Sequence, residues 1–245
     1  MAAIDATAWR SGWRERSVAE KSVLYGGIIA LSVSLPPWPA APMLFLICIV
    51  SARLADVPLK HLAGFLCAPA IFIVIAAGST VVSVGINPWR MTTSTTALLA
   101  GTELIARALT ASAATLMFAS TTPMTMLMNS LRRVGVPAAC VDVVTVMYRL
   151  IFVLLESVNL IRLAQISRLG YSTPRRSLNS AGLLVTAVLT HAWSQARRME
   201  IGLSGRDFGV PLPALDTTHV SAHFVRTSLF LFSLIGVVSI FGSTS

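Results

Sequence analysis

Two long stretches of this chain, residues 22–52 and 62–89, contain no Asp, Glu, Lys or Arg. A helix crossing the hydrocarbon core of a bilayer needs roughly 20 predominantly apolar residues. Uncharged stretches of this kind therefore commit the chain to a membrane before any motif is considered. The composition agrees, being 55% hydrophobic and only 12% charged, against about 25% charged in soluble domains. A net charge of +9 would point a soluble protein toward nucleic acid. In a membrane protein Lys and Arg gather in cytoplasmic loops, which accounts for the charge without a nucleic-acid partner.

Within the first uncharged stretch, Pro36-Pro-Trp-Pro39 forms an interruption. Proline removes a backbone donor and clashes with the preceding turn. Residues 22–52 are thus expected to form two short spans joined by a tight outer turn, with a re-entrant hairpin as the alternative. Arg53, Asp56 and Lys60 mark a return to the cytoplasm, and residues 62–89 suffice for a tilted span. Asn87-Pro88-Trp89 has the character of an interfacial stop, followed by a Thr/Ser-rich loop over residues 91–96. The next span, about residues 97–120, carries Glu103 and Arg107 four positions apart on one helix face. They form a candidate intramembrane ion pair; the plainer reading is a pair near the outer boundary that orients the helix.

Ser120-Thr-Thr-Pro123 is a helix-start signal, with Thr122 as the expected cap and proline in the first turn. A short segment runs to Arg132-Arg133 and is broken by Gly135-Val-Pro137. A long helix follows over about residues 138–168, with Asp142, Arg149 and Glu156 at seven-residue intervals on one stripe. A loop at 170–176 leads to a second long helix, about 178–204, then a Pro-containing linker and a last span, 224–241, whose Arg226 can snorkel. Basic residues at 10–21, 53, 60 and 132–206 fall on one side of this arrangement, and only Arg90 falls clearly opposite. The positive-inside rule then places the amino end and one large helical insertion in the cytoplasm. The first 21 residues are polar and charged, with no short apolar core before an A-x-A cleavage site. They are expected to lie at the interface, anchored by Trp9 and Trp13.

Few residues offer chemistry. The sequence contains no G-x-x-x-x-G-K-[ST], no H-E-x-x-H and no G-x-S-x-G. Cys48, Cys67 and Cys140 sit in apolar runs without metal-ligand spacing and are expected to behave as small hydrophobes. His219 and His223, four apart, lack a carboxylate or cysteine companion and lie in the linker, so no metal site is assigned. His61 and His191 are isolated. Met117, Met124, Met126 and Met128 resemble adaptable packing surface more than a soft-metal site. What remains is a repeated pattern at the ends of the two long helices, Ala164-Gln-Ile-Ser-Arg168-Leu-Gly-Tyr171 and Met199-Glu-Ile-Gly-Leu-Ser-Gly-Arg206-Asp-Phe-Gly209. Each turns from apolar to polar, presents one arginine among small residues, and breaks at glycine beside an aromatic. Arginine in a last turn complements the helix dipole. Two such tips also suit carboxylate-lined grooves on a two-fold or pseudo-two-fold partner, because a guanidinium offers five donors in a fixed fork.

These segments, with Thr121-Thr-Pro123, Leu131-Arg-Arg-Val-Gly-Val-Pro137 and Tyr148-Arg-Leu-Ile-Phe-Val-Leu-Leu-Glu156, resemble the transmembrane T component of energy-coupling-factor transporters. The closest likeness is to the CbiQ-like subunits of cobalt importers. The family's two Ala-Arg-Gly-type motifs fall on Ser167-Arg168-Leu169 and Gly205-Arg206-Asp207, with both arginines retained and the trailing glycine replaced by Leu169 and Asp207. The resemblance implies an all-α integral membrane protein with about five transmembrane helices and a cytoplasmic coupling domain of a short helix and two long crossed helices. The segments would be 1–21 interfacial, 22–120 transmembrane helices one to four, 121–209 coupling helices, 210–223 linker and 224–245 the fifth transmembrane helix.

It further implies a non-catalytic subunit of the bacterial plasma membrane, with its amino end in the cytoplasm. Two CbiO-like ATPase subunits would bind ATP and magnesium, and a CbiM-like membrane subunit would bind cobalt, with a small accessory membrane subunit beside it. The chain itself would hold no cofactor, with ATPase contacts at Ser167, Arg168, Leu169, Gly205, Arg206 and Asp207. Within transport the alternative cargo is nickel or biotin. From another class, the alternative is a membrane-embedded enzyme using Glu103 and Arg107 or the His219/His223 pair.

Overall fold

A computed structural model describes residues 3–81, 83–86, 89–92, 95–204 and 221–243. These fold as helices α1 (Ala3–Arg10), α2 (Val18–Ser34), α3 (Pro37–Leu54), α4 (Leu59–Val81), α5 (Thr95–Thr121), α6 (Met124–Arg133), α7 (Ala138–Ser167), α8 (Pro174–Ser204) and α9 (Ala222–Ser243). Between α4 and α5 lies a two-stranded antiparallel hairpin, β1 (Ser83–Ile86) with β2 (Trp89–Thr92), pairing Ser83 with Thr92 and Ile86 with Trp89. Apart from this hairpin the described protein is helical, and it is an all-α integral membrane protein. Among the described residues five helices are long and apolar enough to cross a membrane: α3, α4, α5, α7 and α9.

That number agrees with the sequence, but the membership differs. With 17 residues, α2 spans about 25 Å at 1.5 Å per residue, short of a ~30 Å hydrocarbon core. Conversely α7, expected in the cytoplasmic insertion, has a length and composition that would also suit a span. The third expected span ends sooner than its uncharged stretch. Helix α4 stops at Val81, where β-branched and small residues take over and the chain enters the hairpin. Trp89 is a strand residue, while Asn87 and Pro88 lie outside the described residues.

The chain divides into two compact units, residues 1–130 with 216–245, and residues 131–215. The first is built on α2, α3, α5 and α9 around Leu24, Tyr25, Ile28, Leu44, Cys48, Met117 and Ile235. Leu35 and Pro36 separate α2 from α3, as the proline run demands. Helices α2 and α9 pack so closely that a Cβ on Gly27 would lie 2.3 Å from a ring carbon of Phe232. Hydroxyls tie the helices to each other's backbones. Ser32 Oγ donates to the Arg107 carbonyl at 3.2 Å, Thr110 Oγ1 to that of Ala41 at 3.3 Å, and Ser239 Oγ to that of Pro36 at 3.4 Å. Such bonds satisfy polar groups where no water competes.

The amino-terminal segment is tied into this unit as well. Trp13 is buried, with its ring edge-on to Phe224 at 5.8 Å, so it is a core residue and not the interfacial anchor expected. Two charged residues at the start of α2 are fully buried. Lys21 Nζ donates to the Thr121 carbonyl at the end of α5, 2.8 Å away, and Glu20 accepts from the Ser221 amide just before α9. Each neutralises an orphan group at a helix end, so three helix termini are fastened at one level. The cap of α6 also departs from expectation. Thr122 Oγ1 makes no hydrogen bond, and the Met124 amide is met by Asp5 Oδ1 at 3.5 Å.

Candidate functional site

The second unit consists chiefly of α7 and α8, with the end of α6 leading in. At 30 and 31 residues, the two long helices each extend about 45 Å, and they pack against each other. Proline sets both starts: Pro137 precedes α7 and Pro174 opens α8. The Arg176 amide is capped by Thr173 Oγ1 at 3.3 Å, so α8 begins earlier than its apolar pattern suggests. Of the seven-residue stripe on α7, Asp142 pairs with Arg132 of α6, while Arg149 and Glu156 are exposed.

The turn between α7 and α8 is fastened by both backbone and side-chain hydrogen bonds. After Ser167 the Leu169 amide bonds to the Ile166 carbonyl at 3.0 Å, and the Gly170 amide to the Gln165 carbonyl at 2.9 Å. This is the Schellman pattern, which requires a left-handed residue at the first position past the cap. Leu169 occupies it with φ of 55°. At the end of α6 the same pattern is made by Gly135 with φ of 100° and bonds from Gly135 to Arg132 and Val136 to Leu131.

Side chains staple the turn shut. Tyr171 Oη donates to Gln165 Oε1 at 2.8 Å, Gln165 Nε2 donates to the Ser180 carbonyl at 3.0 Å, and Ser180 Oγ donates to the Gly170 carbonyl at 2.9 Å. Gly170 fits because it lacks a Cβ, which would lie 2.6 Å from Ser180 Oγ and 2.9 Å from the Gln165 carbonyl. Arg168 stands at the α7 cap of this fastened tip, exposed, with no carboxylate paired to it among the described residues. Ser167 and Leu169 beside it are exposed too. The glycine and tyrosine of the motif thus build the turn, and the arginine is left free. Gln165 and Ser180 were missed in the sequence, because their roles appear only once the two helices are placed together.

Gly205, Arg206 and Asp207, and with them His219, lie outside the described residues. The candidate ion pair in α5 is corrected. Arg107 donates to the carbonyls of Val33 at 3.3 Å and Leu35 at 3.1 Å, and no salt bridge joins it to Glu103 among the described residues. The last turn of α2 carries unsatisfied carbonyls, and a guanidinium that serves them is drawn away from its neighbour on α5. Among the described residues no group of three His, Cys, Asp or Glu side chains is arranged to hold a metal ion. Met117 and Met128 are buried packing residues.

Along both long helices large apolar side chains stand exposed: Val143, Met147, Ile151 and Leu155 on α7, and Leu183, Val185 and Leu189 on α8. A wholly apolar groove of about 340 Å³ runs between the helices, lined by Val158, Leu184, Val188 and Ala192 among others. This unit therefore presents exposed apolar flanks and an exposed guanidinium at its fastened turn.

Five helices long and apolar enough to cross a membrane, among the described residues, define a multi-pass helical membrane protein. The family described as CbiQ, cobalt transport protein, matches residues 10–214. The chain is 33% identical over 226 residues to the cobalt transport protein CbiQ of Rhodobacter capsulatus, covering 92% of each. It is 26% identical over 223 residues to that of Salmonella typhimurium, covering 85% of this chain and 99% of the other. A putative fused cobalt transport protein CbiMQ of Methanocorpusculum labreanum is 28% identical over 140 residues, 57% of this chain and 23% of the relative. This chain belongs to the CbiQ family of cobalt transport proteins.

Proposed function

We propose that the chain is the energy-coupling transmembrane subunit of an ATP-driven cobalt importer in a bacterial plasma membrane. The observation that carries this is Arg168: an exposed guanidinium without a carboxylate partner, held on a turn fastened by three side-chain hydrogen bonds. A long cationic side chain on a loose loop would lose entropy on docking, whereas a pre-ordered tip loses less. Its fork suits a carboxylate on an ATPase subunit. Arg206 supplies the second tip, so two CbiO-like ATPases are engaged, one by each arginine. When ATP draws the ATPases together, the tips follow and α7 and α8 change their mutual angle.

The exposed apolar flanks of α7 and α8 receive a CbiM-like membrane subunit that binds the cobalt, with a small accessory subunit beside it. The fused CbiMQ relative, which carries both names in one chain, supports that pairing. No reaction occurs in this chain. ATP and magnesium belong to the ATPases, and the amino end lies in the cytoplasm with the tips.

The test is the double substitution R168E/R206E. Cobalt uptake and co-purification of the ATPases are expected to be lost while the chain accumulates normally in the membrane. Undiminished uptake would contradict the proposal. Reversing charge at an interface anchor typically costs at least ~2 kcal/mol, so ATPase binding should weaken roughly thirtyfold or more.

A further inference from the structure

The larger groove lies in the first unit, at the end of the bundle where α2 and α9 begin and α3 ends. It encloses about 690 Å³, within the ~300–1,000 Å³ range of small-molecule sites. Leu24, Ile47, Val50, Leu54, Phe230 and Leu231 form apolar walls. Arg16, His223 and Arg226 line the same groove.

The electrostatics are one-sided. Arg16 lies over the rings of Phe224 at 4.6 Å and Trp13 at 5.1 Å, and its one acidic neighbour among the described residues is Glu20 at 3.9 Å. Glu20 is itself buried and accepts from the Ser221 amide. Arg226 is exposed and has no carboxylate partner among the described residues. Among the described residues, then, one guanidinium of this groove has only a long contact to an already engaged carboxylate and the other has none, beside an apolar channel. An uncharged peptide or a zwitterionic lipid would leave that excess positive charge uncompensated.

We propose that this groove binds an anionic phospholipid, with the phosphate held by Arg16 and Arg226 and one acyl chain lying along Leu24, Val50, Leu54 and Leu231. Charge-assisted bonds from two guanidiniums fix the headgroup. Basic pockets between membrane helices are a recurrent setting for such lipids. The site uses no residue of the docking tip, so it stands or falls independently of ATPase coupling.

The full chain, purified in mild detergent, is titrated with phosphatidylglycerol and with phosphatidylcholine of the same acyl chains, and retained lipid is counted by native mass spectrometry. Wild type is expected to retain phosphatidylglycerol in preference to phosphatidylcholine. R226Q, which alters an exposed side chain, is expected to bind phosphatidylglycerol about fivefold more weakly, the factor one basic residue contributes at an anionic surface. Val50→Trp, filling the groove with both arginines intact, is expected to reduce retention as well. Thermal unfolding gives a second readout: at equal concentration phosphatidylglycerol raises the Tm of wild type more than that of R226Q. Equal retention by wild type and R226Q, or equal retention of the two lipids, would overturn the proposal. So would a cysteine at position 226 that cross-links to a protein subunit seated in the groove.

Discussion

Leu169 shows what a single position contributes to the tip. It adopts φ of 55° at the site that Gly135 fills at the end of α6, where the family resemblance also places a glycine. A left-handed leucine costs about 1–2 kcal/mol, and the hydrogen bonds joining Gln165, Tyr171 and Ser180 offset it. Leu169→Gly is therefore expected to slow hydrogen exchange of the last α7 amides about fivefold or more, the factor corresponding to ~1 kcal/mol. Faster exchange would mean that the Leu169 side chain holds the turn. Arg168→Lys keeps the charge but loses the fork, so it is expected to give uptake between wild type and Arg168→Glu. The place of Arg168 at an exposed helix end was legible in the sequence because a lone cation before a glycine break is a local signal. Asp5, which meets the Met124 amide 119 positions away, was not, since nothing near Met124 points to it. The Glu103/Arg107 spacing was legible and misleading, because the competing carbonyls of Val33 and Leu35 lie on another helix.

Among the elements, prolines made boundaries easy to read. Pro36, Pro137 and Pro174 each stand at a helix start, because proline fits where the first amides need no intrahelical partner. The end of α4 was harder, since an uncharged stretch continues past Val81 and hydropathy does not distinguish helix from hairpin there. Close packing was invisible as well: of the two adjacent glycines of α2, Gly27 alone faces the Phe232 ring. Gly27→Leu is expected to lower stability by roughly 1–3 kcal/mol through overpacking, with part of the loss restored by adding Phe232→Ala. Unfolding in detergent measures both, and simple additivity of the two losses would show that the positions do not press on each other. Glu20→Ala is expected to cost about 0.5–2 kcal/mol by uncapping the start of α9, measured as a lower Tm.

On the scale of the whole molecule, the membrane class was fixed by uncharged stretches, but the list of spans was not. Helix α7 has the length and apolarity of a span, yet in the coupling account it serves as a cytoplasmic lever, exposing Ile151 and Leu155 to a neighbouring subunit. Single cysteines at Arg10, Arg133 and Arg175, in a chain lacking Cys48, Cys67 and Cys140, separate the alternatives. All three are expected to resist a membrane-impermeant maleimide in intact cells and to react in inside-out vesicles; a crossing α7 would put positions 133 and 175 on opposite sides. The central claim is that the α7 tip seats in an ATPase subunit. Ser167→Cys in the same background, placed beside Arg168 and cross-linked within the assembled transporter, tests it most directly. The coupling account predicts one covalent adduct with the ATPase, weakened when Arg168 is changed to Glu. Absence of that adduct from an intact, transporting complex would contradict it.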